Sequence, residues 1–243
     1  MAIRTLLVLF FLTSQAWATT VTFQNGTSGY TGGGDASIAS YSNNENNTTN
    51  TSIRALSDGE LYIIYFNVTT IPTNAIVSAA TITIYQSEQN CANPTIGVRQ
   101  IQDPDASGLF YANSSSGDTF NTYADWLYKN HSSTTKWSSS GGSANFTDVN
   151  GNSDETTQSA GSCPGFIATT FSIPIMTRSW IATPSTNAGM VFSLGSSGKT
   201  NVVGDASSTT AERPTLSVTY IVPSSSTGIG TINSATLRSC IIN

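Results

Sequence analysis

Apolar and polar residues alternate along most of this chain, and the two-residue period predicts β-strands. Ile76, Ala80, Ile82 and Ile84 fall on one face, with Thr81, Thr83 and Tyr85 on the other. Leu216, Val218 and Tyr220 alternate with Thr215, Ser217 and Thr219, and Met190, Phe192 and Leu194 repeat the pattern. Leu61 to Phe66 is a continuous apolar run, which predicts a central strand covered on both faces. Thr20–Phe23, Asp35–Ser40, Thr95–Ile101 and Ile167–Ile173 are further predicted strands. Gly32-Gly33-Gly34, Ser57-Asp58-Gly59, Pro72-Thr73-Asn74 and Pro184-Ser185-Thr186-Asn187 supply turns between them. Only Ile175–Ile181 reads as helical, and it is short.

Repeated short strands punctuated by turn residues predict an all-β fold. The expected form is an antiparallel β-sandwich, jelly-roll-like, with one long decorated loop region and at most one short helix. One domain over residues 19–222 suits that class. A Ser-rich linker at 223–228 and a mildly apolar tail at 229–243 follow it. The long loop region is Ser107 to Ser162, polar and Gly/Ser-rich yet carrying Phe110, Tyr111, Phe120, Tyr123, Trp126, Tyr128 and Trp137. A connection of this length is either functional or contains small hairpins of its own.

Composition adds the compartment. Charged residues make up 9% of the chain, far below the usual share, and Ser and Thr fill the gap with 36 each. Met1 to Ala18 reads as a signal peptide: Arg4 is the positive start, Leu6 to Leu12 the apolar run, and Ala16-Trp17-Ala18 the cleavage site. The apolar run is too short to span a membrane. A secreted, extracellular protein with no membrane span is expected, its mature chain starting at Thr19. Lys and Arg total 9 against 14 Asp and Glu, which argues against nucleic acid as a partner. Of the three cysteines, Cys91 and Cys163 are the expected disulfide, with Cys240 left over near the end. Eight Asn-x-Ser/Thr sequons, at Asn25, Asn46, Asn47, Asn50, Asn67, Asn113, Asn130 and Asn145, mark surface loops and are the acceptors that a glycoprotein would use.

Several strings resemble, in order, those of DNRLRE-type domains, β-sandwich modules of secreted bacterial and archaeal proteins linked to polysaccharide binding. Ile71-Pro72-Thr73-Asn74-Ala75-Ile76-Val77-Ser78-Ala79-Ala80-Thr81-Ile82-Thr83-Ile84-Tyr85 is similar to the family's IP-x-GA-x-I-x-SA-x-L-x-L stretch. Asp35 to Ile38 resembles the early D-x-x-I strand, Tyr65 to Val68 the x-F-D-L strand, and Trp180 to Leu194 the W-x-x-x-P-x-x-N-x-G-x-x-L segment. Trp137 to Gly142 resembles a recurrent W-x-x-x-GG-D loop, with Ser143 in the place of its Asp. Arg213 to Tyr220 resembles the closing RP-x-L-x-V-x-Y strand. The resemblance spans roughly Asp35 to Tyr220 and implies a secreted carbohydrate-binding-module-like sandwich.

Candidate chemistry is sparse. His131, in the polar Asn130-His131-Ser132, is the single histidine, and there is no Gly-x-Ser-x-Gly elbow, so a serine triad lacks its base. One His and three scattered Cys do not make a zinc site. The chain is not expected to be an enzyme or to hold a cofactor. Calcium is the metal that the chain's chemistry suits: Asp148, Asn150, Asn152 and Asp154 place oxygens at alternate positions, although Ser153 and Ser159 depart from an EF-hand loop. The competing reading is an Asx-rich turn with no metal. For a glycan, Trp126, Tyr128 and Trp137 offer stacking faces, with Asp125, Lys129 and Lys136 alongside. The competing reading, favoured for each residue taken singly, is that these aromatics fold inward and pin the long loop to the sandwich. Two functional expectations follow: a non-catalytic sandwich that binds polysaccharide or cell-surface glycan, or a structural or adhesive surface protein that self-assembles by strand addition.

Overall fold

The computed structural model describes residues 17–39, 42–47, 51–54, 60–89, 95–101, 128–130, 135–136, 149–150, 157–159, 167–194, 199–205 and 207–223. In chain order the strands begin with β1 (Thr19–Phe23), β2 (Gly33–Ala39), β3 (Ser42–Asn47), β4 (Thr51–Arg54), β5 (Glu60–Phe66), β6 (Ile76–Gln89) and β7 (Thr95–Ile101). Short strands β8 (Tyr128–Asn130), β9 (Thr135–Lys136), β10 (Val149–Asn150) and β11 (Thr157–Ser159) come next. The chain continues through β12 (Ile167–Ser172), helix α1 (Pro174–Ala182), β13 (Met190–Leu194), β14 (Lys199–Val202) and β15 (Thr215–Ile221).

Two antiparallel sheets make an all-β sandwich. One has the order β1-β15-β6-β14-β4, with β12 also paired to β6. The other runs β10-β7-β13-β5-β2-β3, with β11 also paired to β7. Strands β8 and β9 form a separate pair inside the long loop region, one of the small hairpins its length allowed. Phe23, Ile82, Ile84, Leu216 and Val218 of the first sheet pack with Tyr62, Ile64, Phe66, Ile96, Val98 and Phe192 of the second in one buried cluster. Strand β5 lies between β13 and β2, and its Leu61, Tyr62, Ile63 and Ile64 are all buried, as an unbroken apolar run requires.

Helix α1 is slightly longer than Ile175–Ile181. Pro174 opens it, suited to a position whose N–H needs no partner. Met176, Trp180 and Ile181 are buried against the sheets, and Pro184 follows the end. No helix among the described residues is long and apolar enough to cross a membrane.

Two expectations are corrected. Ile76 is 55% exposed rather than inward, because the register of β15 on β6 shifts between Thr219 and Tyr220, opposite Ala79 and Val77. The extra residue puts Val77, not Ile76, in phase with Ala80 and Ile82. Gly33 and Gly34 are not a turn but the start of β2. The turn lies earlier, at residues 25–29, where Gly26 and Gly29 take φ of 84° and 78°. Gly33 serves a close approach instead: a Cβ there would meet Asn25 Oδ1 at 2.9 Å.

Candidate functional site

Strands β1, β15, β6 and β12 lie side by side, and their outward face is built from hydroxyls. The register aligns Thr22, Ser217, Thr81 and Ser172 in one row across all four strands. Thr215, Thr83 and Thr170 form the next row toward one end, and Thr20 and Thr219 lie in the row toward the other. Neighbouring strands are about 4.8 Å apart and successive rows about 6.7 Å. Period-2 alternation dictates this outcome, since each polar residue separates two core residues. Thr20 Oγ1 and Thr219 Oγ1 are 2.9 Å apart, as are Thr83 Oγ1 and Thr170 Oγ1, so hydroxyls of adjacent strands orient one another. The rows contain no charged side chain.

Tyr85 follows Thr83 on the same face of β6 and is half-buried. Its partner on β12 is the exposed Ala168, whose single methyl is too short to cover the ring. The arrangement places a partly exposed aromatic side chain beside a neutral field of donors and acceptors.

A second polar cluster is buried. Asp35 lies on the core face of β2, in register with Ile64, and is wholly buried. Its Oδ2 accepts hydrogen bonds from Tyr62 Oη at 2.7 Å and from the Asp205 backbone N–H at 2.9 Å. Asp205, just beyond β14, accepts from Asn25 Nδ2 at 2.7 Å through its own Oδ2. Asn25 also donates to Gly33 O and accepts from Gly33 N–H, so its amide is committed inside the fold. That commitment leaves the Asn25 sequon a part-buried tie rather than an open glycan acceptor. Arg213 closes the cluster, donating from Nη1 to Asn25 O at 2.9 Å and from Nε to Ser207 O at 2.8 Å. The two carboxyl groups lie within hydrogen-bonding reach of each other. Burial, and then the Asp35 charge, push the Asp205 carboxyl up to about 9, against the pull of Asn25 and Arg213. Burial also raises Asp35, opposed by its bonds from Asp205 and Tyr62.

Of the residues singled out for glycan contact, Asp125, Trp126 and Trp137 lie outside the described residues, as do Asp148, Asn152 and Asp154 of the calcium candidate and both Cys91 and Cys163. Tyr128 and Lys129 lie on β8 and Lys136 on β9, with Tyr128 and Lys136 in register as partners. Asn150 lies on β10, paired with Gln100 of β7. Among the described residues no three His, Cys, Asp or Glu gather as metal ligands. Sequence reasoning placed Thr81, Thr83 and Tyr85 on one face without assigning that face a role, and it missed the Asp35–Asp205 pairing. No protein-family model matches the chain, and no curated protein matches it in sequence.

Proposed function

We propose that this protein is a secreted, non-catalytic β-sandwich that binds a neutral polysaccharide through the outward face of the β1-β15-β6-β12 sheet. The observation that carries the reading is Tyr85 beside the Thr83 and Thr170 hydroxyls. A sugar ring presents an apolar face for stacking and hydroxyls at its rim, and this surface offers the matching partners without charge. The resemblance to DNRLRE-type domains points the same way. Secretion rests on the signal-peptide pattern of Met1 to Ala18, whose cleavage leaves Thr19 first. The β8–β9 hairpin, with Trp126 and Trp137 flanking it in sequence, is a second contact region in this reading.

The reading includes a Cys91–Cys163 disulfide. Strand β12 runs antiparallel to β6 with Ile167 opposite Gln86, and β6 continues three residues further, to Gln89, before the segment that carries Cys91. A bridge closing about 70 residues stabilises by roughly 4 kcal/mol in the chain-entropy model. Mass mapping of secreted material that finds either thiol free rejects it.

The test of binding is retention of the secreted protein on a panel of insoluble neutral and acidic polysaccharides, with and without calcium. Wild type is retained on a neutral polymer. Tyr85→Ala weakens binding by about 1–3 kcal/mol, a scale taken by analogy from nucleobases stacked on aromatic side chains. Trp126→Ala and Trp137→Ala test the hairpin region in the same assay. No retention of the wild type on any polymer rejects the proposal.

A second reading, assembly by strand addition, is favoured by β1. Among the described residues it pairs on one edge alone, with β15, and it carries neither proline nor charge to block a neighbour. Sedimentation at native concentration separates the two readings. Concentration-dependent assembly without glycan retention supports the second, and a retained monomer supports the first.

A further inference from the structure

The Asp35–Asp205 pair is not used by any glycan-binding reading, yet it is the most demanding piece of chemistry in the described fold. Two carboxyl groups meet in a buried pocket. Neither Asp35 Oδ1 nor Asp205 Oδ1, both buried, receives a hydrogen bond from any described donor. An orphaned buried acceptor is costly, and two facing carboxylates add repulsion that low dielectric magnifies.

A single proton removes both penalties. Placed on Asp205, it turns that carboxyl into a donor to Asp35, so one O–H···O bond satisfies the pair. Asp35 Oδ2 already takes two donors, Tyr62 Oη and the Asp205 N–H, and Asp205 Oδ2 takes Asn25 Nδ2. That crowding by N–H and O–H donors leaves too few free oxygens for a calcium ion, which takes six or more oxygen ligands. Charge balance agrees. With one proton the pair carries a single negative charge, opposite Arg213, the cation that faces it among the described residues. Among the described residues, the other titratable groups facing the pocket are Tyr62 from β5 and Tyr30 from the β1–β2 turn, and burial holds both hydroxyls in the neutral form.

We infer that Asp35 and Asp205 share one proton and form a proton-binding latch that ties the β1–β2 turn, strand β2 and the segment between β14 and β15 together. Burial, and then the facing Asp35 charge, push the Asp205 carboxyl from its ordinary 3.8 up to about 9. Between those limits the folded chain holds more protons than the unfolded chain, so stability falls as pH rises through the window. The latch is fully made at the acid end and is lost beyond the alkaline end.

The experiment is thermal melting of the full secreted chain from below pH 3.8 to above about pH 9, in EDTA and in calcium chloride. Wild type and Asp205→Asn are compared. Wild-type Tm falls by several degrees as pH rises. Asp205→Asn, whose amide N–H replaces the shared proton, keeps a Tm that varies little over the same range. A slope unchanged in Asp205→Asn overturns the proposal. So does a calcium-dependent rise in wild-type Tm that the variant lacks, because the pocket would then hold a cation. Carbon-13 NMR of the wild-type aspartate carboxyls reads the pair without mutation. One carboxyl titrating at about 9 supports the latch, and titration of every aspartate in the ordinary acid range overturns it.

Discussion

The ring of Phe171 meets that of Phe192 edge-on, with centroids 5.4 Å apart and planes inclined at 67°. Phe171 belongs to β12 and Phe192 to β13, so this one contact bridges the two sheets. Replacing either ring by Ala costs about 3–5 kcal/mol through lost burial and a residual cavity. A double-mutant cycle in urea should show a coupling of about 0.5–1.5 kcal/mol beyond the area term. Strict additivity would mean that the rings act only as separate fillers.

Leu216 and Ile82 are register partners and both are fully buried, whereas Thr83 and Ser217 lie on the opposite face. Truncation of Leu216 or Ile82 to Ala is expected to cost about 2–5 kcal/mol. Thr83→Ala and Ser217→Ala should stay within about 0.5–1 kcal/mol, the larger value applying to Thr83 with its hydroxyl bond to Thr170. Equilibrium denaturation of the four variants decides the matter, and comparable losses at all four would contradict the register.

Arg213 reaches two backbone carbonyls in different directions, Asn25 O and Ser207 O. The planar guanidinium does this with fixed N–H vectors, and a lysine ammonium at the end of a flexible stem does not. Arg213→Lys should therefore lose about 1–3 kcal/mol despite its unchanged charge. Urea midpoints of the two proteins measure it. An unchanged midpoint would show that Arg213 works by charge alone.

Asn187 donates from Nδ2 to Phe66 O at 2.8 Å and accepts from Gly189 N–H through Oδ1, all within buried surroundings. Asn187→Ala strips both partners at once and should cost about 1–3 kcal/mol, read as a drop in melting temperature. Asn187→Asp keeps the acceptor but loses the donor, and should recover only part of the loss.

The strands that bear the core were legible because alternation alone assigns a face to Ile82, Leu216 and Phe192. It failed at Ile76, where one extra residue in the ladder changes phase without leaving a mark in the sequence. It also failed for β3, whose Ser-Asn-Asn-Glu-Asn-Asn has no apolar period to read. The hydroxyl face was visible as a pattern, but its rows depend on which strands become neighbours. The Asp35–Asp205 cluster joins positions 170 residues apart, and pairing at that distance has no local signature. A single charged residue within a strand, in a chain with 9% charge, was the signal present at Asp35.

Thr20 touches Thr219 across a separation of 199 residues, and β1 finds its described partner only in β15. A ribosome makes β1 long before β15, the strand that it pairs with. The first strand must wait, unpaired, until the last has emerged, while β2 and β5, close in sequence, are free to pair early. Late closure over so long a loop is entropically costly and slow. An emerging chain of this design presents an open strand for most of its synthesis, and any factor that shields extended, uncharged segments would govern its yield.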